Sequence, residues 1–238
     1  MTGESPATIS LADEDAVKQL LVGTVFNLWD VIHNLTRLRP SKAERYRVTI
    51  FGSARPKPGD FVYEEVKRLA RALAEMDCDI ITGGGPGLMQ AANEGATAVD
   101  AQQKRSVGVR VELPFEQSVN PFVEQAFEHK TFFSRLHQFV LMSDAFVVVP
   151  GGIGTVLETM MVWQLLQVKH LQNCPLILVG KMWAELVDWA KLHLVSKEVR
   201  LANPEDMLIP QCVNTADEAI ALLQSCHTRW AAIHKNQR

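Results

Sequence analysis

Five short runs rich in Val, Ile and Phe alternate along the chain with segments of helical length: Val48 to Phe51, Asp79 to Thr82, Val107 to Leu113, Ala145 to Val149 and Leu176 to Val179. The intervening segments carry apolar residues at helical spacing over Tyr63 to Met76, Leu88 to Asp100, Phe132 to Met142, Val156 to Val168 and Trp183 to Val195, with a closing helix from Ala216 to about Ile233. Strands joined by helices pair in parallel, and near-continuous apolar runs need cover on both faces. The expected fold is therefore α/β, a Rossmann-like doubly wound parallel sheet.

Upstream, residues 1–12 read as a polar mobile tail. Asp13 to Leu38 places Val17, Leu20, Leu21, Phe26, Leu28, Ile32 and Leu35 at mostly helical spacing. We expect a tail over 1–12, an N-terminal helical extension with connector over 13–46, and one nucleotide-binding domain over 47–238. The basic stretch Arg37, Arg39, Lys42, Arg45 and Arg47 reads most simply as a solvated connector, with a partner-binding patch as the other option.

Charge and cysteine content narrow the functional classes. Lys plus Arg is 24 against 27 Asp plus Glu, a formal net charge of -3, so no global basic field is available to hold a nucleic acid. Cys78, Cys174, Cys212 and Cys226 form no C-x-x-C and have no spaced histidines, which points to reduced core thiols rather than to a metal site. With no basic start followed by an apolar run and no segment of about 18 apolar residues, the expectation is a cytoplasmic protein without membrane contact.

Three expected strands end in small or glycine-rich turns: Gly52-Ser53-Ala54, Gly83-Gly84-Gly85-Pro86-Gly87 and Pro150-Gly151-Gly152-Ile153-Gly154-Thr155. In a sheet of order 3-2-1-4-5 all three meet at the carboxyl edge, beside the topological switch point. Glycines let backbone amides approach an anion, and the following helix N-termini carry partial positive charge, so the crevice suits phosphate. Taken alone, Gly83 to Gly87 also fits a plain strand-to-helix turn. It is not a Walker A loop, and Gln90 stands where a dinucleotide fingerprint needs Gly or Ala.

Glu158 and Arg135 each admit two readings. Thr155-x-x-Glu158 fits a capping box, whereas a carboxylate buried beside a phosphate acquires a raised pKa and serves as a base. Arg135 lies about a quarter turn from an apolar face of Phe132, Phe133, Leu136, Phe139 and Val140. It is either a solvated flanking residue or, because its helix begins at the carboxyl edge, a nucleotide contact. His129 and His137 lack a spaced metal partner and read as structural. Trp29, Trp163, Trp183, Trp189 and Trp230 read as packing residues.

The two runs Gly83-Gly84-Gly85-Pro86-Gly87-Leu88-Met89 and Pro150-Gly151-Gly152-Ile153-Gly154-Thr155-Val156-Leu157-Glu158 resemble the LONELY GUY proteins, whose signature is P-G-G-x-G-T-x-x-E. These are Rossmann-like enzymes, often labelled lysine decarboxylases, that hydrolyse nucleoside 5'-monophosphates, including cytokinin forms, to free base and ribose 5-phosphate. The resemblance implies that Glu158 and Arg135 are catalytic. It also implies that Ser53, Gly84, Gly85, Gly87, Leu88, Met89, Gly151, Gly152, Gly154 and Thr155 enclose the substrate and its phosphate, with Leu88 and Met89 toward the base. A homodimer or higher oligomer follows from the same analogy. One departure is visible: family members commonly carry Met-His before the arginine and Lys after it, where this chain has Phe133-Ser134 and Leu136.

The decarboxylase label does not suit these residues. Pyridoxal phosphate chemistry needs a Schiff-base lysine, and neither the three loops nor the helix bearing Arg135 contains one. The expected activity is hydrolysis of the N-glycosidic bond of a purine nucleoside 5'-monophosphate, without metal or cofactor. The alternative is a non-catalytic nucleotide or cofactor carrier of the same fold.

Overall fold

A computed structural model describes residues 13–36, 45–99, 105–111, 119–129 and 131–235. Contacts divide the chain into two compact units, Met1–Lys42 and Ala43–Arg238. In the first, helix α1 spans Glu14–Thr36, with Glu14 and Asp15 in its first turn opposing the helix dipole. The expected tail over 1–12 and the basic residues Arg37, Arg39 and Lys42 lie outside the described residues.

The second unit is a seven-stranded sheet in which every neighbouring pair is parallel. Its elements follow in the order β1 Tyr46–Phe51, α2 Phe61–Glu75, β2 Cys78–Thr82, α3 Leu88–Thr97, β3 Ser106–Val111, β4 Gln125–His129, α4 Phe132–Met142, β5 Ala145–Val148, α5 Ile153–Gln167, β6 Leu176–Val179, α6 Lys181–Ala190, β7 Pro210–Val213 and α7 Ala216–Lys235. The strand order is β4-β3-β2-β1-β5-β6-β7. The five expected strands appear in the expected order, flanked by two edge strands, β4 and β7, that the apolar pattern does not reveal. The stretch expected as one helix to Val195 is α6 followed by a π-helical turn, Lys191–Val195.

Side chains alternate between two cores, as a pleated strand dictates. Val48 and Ile50 of β1 and Ala145 and Val147 of β5 pack with α2, α3 and α7, through Tyr63, Leu69, Leu88, Ala91, Ala219 and Leu223. Phe51, Phe146 and Val148 point to the opposite face and pack with α4, α5 and α6, through Phe139, Val162, Trp163 and Trp183. Phe51 meets Phe139 edge-on at 5.0 Å between ring centroids.

Several packing expectations need correction. On α4 only Phe139 and Val140 are buried, whereas Phe132 is 50% and Phe133 81% exposed. The side chain of Arg135 instead reaches β3, where its Nε donates to Val109 O at 2.9 Å. Trp189 is half exposed on α6, away from buried Trp183. Cys78 and Cys174 are buried, but Cys212 is exposed on the edge strand β7 and Cys226 is half-buried on α7. Arg45 is not a solvated connector residue: its Nε lies 2.7 Å from Asp79 Oδ1 in a largely buried ion pair.

Helices α2 and α3 pack closely because Gly95 has no side chain. A Cβ there would strike the carbonyl oxygen of Lys67 and lie 3.0 Å from Arg71 N, both backbone atoms. Gly95→Ala should therefore destabilise the protein by about 1–3 kcal/mol despite alanine's better helix propensity, measured as a lower midpoint of chemical denaturation.

Candidate active site

The three loops meet through the backbone of Ser53. Its N–H donates to Pro150 O at 3.1 Å and its carbonyl accepts from Leu88 N at 2.8 Å. Close approach requires glycines here: a Cβ on Gly52 would lie 2.6 Å from Val149 Cγ2, and one on Gly87, which has φ +71°, would run into Ser53 and Ala54. The result is a cavity of about 970 Å³ at the carboxyl edge, lined by the loops after β1 and β5, by Gly83 and Met89, by Arg110 and Val111 of β3, and by Arg135 and Glu158.

The loop after β2 plays a different part from the one expected. Gly83 and Met89 line the cavity, whereas Gly84, Gly85, Gly87 and Leu88 lie beneath it, and Leu88 is wholly buried in the core. The first amide of α3 is already spent on Ser53, and Gly84 N donates to Thr82 Oγ1 at 3.0 Å. A buried network fixes this loop. Asn93 Oδ1 accepts from Thr82 Oγ1 at 2.7 Å and from Asn120 Nδ2 at 2.9 Å, Asn93 Nδ2 donates to Ser106 Oγ at 2.8 Å, and Asn120 holds the carbonyls of Gly84 and Gly85. These polar residues carry no motif spacing, since strands and loops far apart in sequence bring them together.

The loop after β5 remains open. Helix α5 begins at Ile153 with Gly152 as its cap, so Thr155 stands inside the first turn and Thr155 and Glu158 form no capping box. Val156 N is the first amide to find a helical acceptor, Gly152 O. The amides of Gly152, Ile153, Gly154 and Thr155 thus precede any helical partner, at the positive end of the dipole. Thr155 folds its side chain against Gly151, where a Cβ would collide with it. Gly152 and Gly154 are another matter: a Cβ at either would meet nothing, and neither has a positive φ. Glycine at these two sites leaves room for a group from outside the chain.

Glu158 Oε1 lies 3.5 Å from Arg135 NH1, with the two side chains only 12% and 14% exposed. Burial pushes the Glu158 carboxyl up from 4.5 to about 7, and the Arg135 charge opposes the shift without cancelling it. Arg135 is anchored from below: its Nε donates to Val109 O at 2.9 Å, and its guanidinium carbon sits 5.3 Å from the Phe139 ring centroid. Arg135 also shares the site with Gly83, whose missing Cβ makes room for the guanidinium. The arrangement offers anion-binding amides, a fixed cation and a carboxyl poised to exchange a proton near neutrality.

A parallel sheet with glycine loops at its switch point defines a nucleotide-type α/β protein. The family described as "Possible lysine decarboxylase" matches residues 89–223, more than half of the chain, and the chain belongs to this family, that of the LONELY GUY proteins. Among curated proteins the chain is 27% identical over 160 residues to the pyrimidine/purine nucleotide 5'-monophosphate nucleosidase of Escherichia coli K12. The match covers 64% of this chain but 35% of that protein, so the chain spans about a third of the length of the curated relatives it matches. Among solved structures it is similar in fold to the molybdenum cofactor binding protein of Rippkaea orientalis, with TM-score 0.56, 18% identity, and 77% of this chain and 98% of the other covered. The molybdenum cofactor carrier protein of Chlamydomonas reinhardtii gives TM-score 0.54 and 19% identity, with 76% of this chain and 98% of the other covered.

Gly154→Ala tests the open glycines directly. Because the added methyl meets open space within a helix, the variant should be as stable as the parent or up to about 1 kcal/mol more stable. Phosphate-ester binding should fall at the same time. Thermal melts and nucleotide titrations on one sample separate the two effects.

Proposed function

We propose that the protein hydrolyses the N-glycosidic bond of purine nucleoside 5'-monophosphates, releasing the free base and ribose 5-phosphate. The observation that carries this reading is the pairing of buried Glu158 with Arg135 beside the open amides of α5. The 5'-phosphate would rest on the amides of Gly152, Gly154 and Thr155, with Ser53 and Met89 flanking the ribose and base. Glu158 takes a proton from water, whose oxygen forms the new bond to the anomeric carbon as the bond to the base nitrogen breaks; the base leaves with the electron pair and receives the proton. Arg135 keeps Glu158 in place and offsets charge developing on the departing base.

The nucleosidase activity for which the Escherichia coli relative is named supports hydrolysis, and the family description "Possible lysine decarboxylase" finds no lysine among the described residues that line the cavity. The two cofactor proteins of similar fold motivate the rival reading, a carrier that binds without turnover. A cytoplasmic setting is part of the proposal, supported by four cysteines of which none is in a disulfide. Among the described residues no helix is long and apolar enough to cross a membrane.

We further infer a homodimer or higher oligomer built on α5. Its exposed stripe Ile153, Leu157 and Met160 is 88%, 52% and 40% exposed, on a helix that is apolar nearly all round. Surface helices normally present a polar outer face.

Incubation with AMP and N6-isopentenyl-AMP, with chromatography of the products, should show free base. Glu158→Gln should lower kcat about 100-fold or more. Because the base must be ionised and its pKa is raised to about 7, the rate should climb as pH rises through that value, a limb absent from the variant. Nucleotide binding without release of base would establish the carrier instead. For assembly, Leu157→Lys with Met160→Lys should reduce the mass in solution to that of a monomer in sedimentation; a monomeric parent protein overturns the α5 interface.

A further inference from the structure

Among the described residues four charged side chains belong to the cavity wall: Arg55, Arg110, Arg135 and Glu158. Three of them are engaged within the chain. Arg135 NH1 lies 3.5 Å from Glu158 Oε1 and its Nε donates to Val109 O, while Arg110 NH1 lies 3.4 Å from Glu128 Oε1 on the edge strand β4. Arg55 differs. It is exposed, and among the described residues its guanidinium meets neither a hydrogen-bond acceptor nor a carboxylate. When Glu158 is ionised its charge opposes that of Arg135, so Arg55 is the cation of this wall without a counter-charge.

The backbone beneath that side chain is held. Arg55 N–H donates to Ser53 Oγ at 3.2 Å, and Pro56 disfavours helical backbone at the residue before it. The turn that follows closes with Lys57 N–H on Asp60 Oδ2 at 2.8 Å and Asp60 N–H on Lys57 O at 3.0 Å. Strands β1 and β5 are neighbours, and Ser53 N–H donates to Pro150 O at 3.1 Å. The loop carrying Arg55 therefore stands about one strand spacing, roughly 4.8 Å, from the loop that opens α5, a distance an arginine side chain spans. In that second loop the amides of Gly152, Ile153, Gly154 and Thr155 precede any helical acceptor.

We propose that Arg55 binds the 5'-phosphate from the β1 side of the cavity and is the residue by which the protein selects phosphorylated nucleosides over unphosphorylated ones. A helix N-terminus offers about half an elementary charge, whereas a phosphate monoester carries roughly two negative charges at neutral pH. A guanidinium adds a full charge and a fork of donors that matches two phosphate oxygens. The proposal rests on the nucleotide reading of the cavity and adds to it the side chain that reads the phosphate.

Calorimetric titration of the full chain with ribose 5-phosphate, AMP and adenine, beside turnover of AMP, separates the phosphate from the base. In Arg55→Met the affinity for ribose 5-phosphate and for AMP should fall about 10-fold or more, with adenine bound as by the parent protein. The loss in turnover should fall on KM more than on kcat, because a phosphate remote from the reacting bond is held alike in ground and transition states. Arg55→Lys keeps the charge but not the fork and should recover part of the affinity. Both variants should melt with the parent, which excludes a folding defect. Unchanged affinity for ribose 5-phosphate in Arg55→Met, or an equal loss for adenine, overturns the assignment while leaving nucleotide hydrolysis standing. Phosphate-dependent binding that is lost in Arg55→Met, in a parent protein that releases no base, does the reverse; no binding of AMP or ribose 5-phosphate by the parent overturns both.

Discussion

Two hydrogen bonds from one residue, Ser53, set the geometry on which everything at the carboxyl edge depends. By donating to Pro150 and accepting from Leu88, its backbone fixes the loop after β1 against those after β5 and β2. The glycines at 52 and 87 are the steric condition for that approach. The consequence is an asymmetry between two helix N-termini that look alike as sequence. At the start of α3 the Leu88 amide is taken by Ser53 O, while at the start of α5 the amides of Gly152, Ile153, Gly154 and Thr155 precede any helical acceptor.

Above that floor, Glu158 and Arg135 share a setting that a simple ion pair would not need. Guanidinium does not give up its proton in proteins, so the cost of burial falls on the carboxyl, whose pKa rises to about 7. Arg135 is too far, at 3.5 Å, and too committed to Val109 to neutralise that cost fully. Partial compensation leaves an acid that changes protonation in the neutral range, which a tighter pair or a more exposed one would not provide.

The central fold is legible in the chain because the middle strands are apolar on both faces and the helices between them are periodic. The edge strands escape for a physical reason: β4 reads Gln-Ala-Phe-Glu-His and is mostly exposed, and β7 opens with a proline, both compatible with pairing on one side only. Within the site, the phosphate-type loop and its neighbours Arg135 and Glu158 follow from glycine spacing and helix direction. The buried Thr82, Asn93, Ser106 and Asn120 network does not, because it exists only after β2, α3, β3 and the segment before β4 assemble.

Glycine content by itself says little about which glycines meet a ligand, and the structure separates them by what a methyl would encounter. At Gly95 it would meet backbone, so the residue serves helix packing; at Gly84, with φ +73° and the Gly108 Cα only 3.4 Å from an added Cβ, it serves a turn and a close contact between loop and strand. Gly152 and Gly154 satisfy neither need. Their amides are open, their backbone is ordinary, and helix propensity argues for alanine at 154. A local preference forgone without any internal return is what the proposed phosphate seat at the first turn of α5 accounts for.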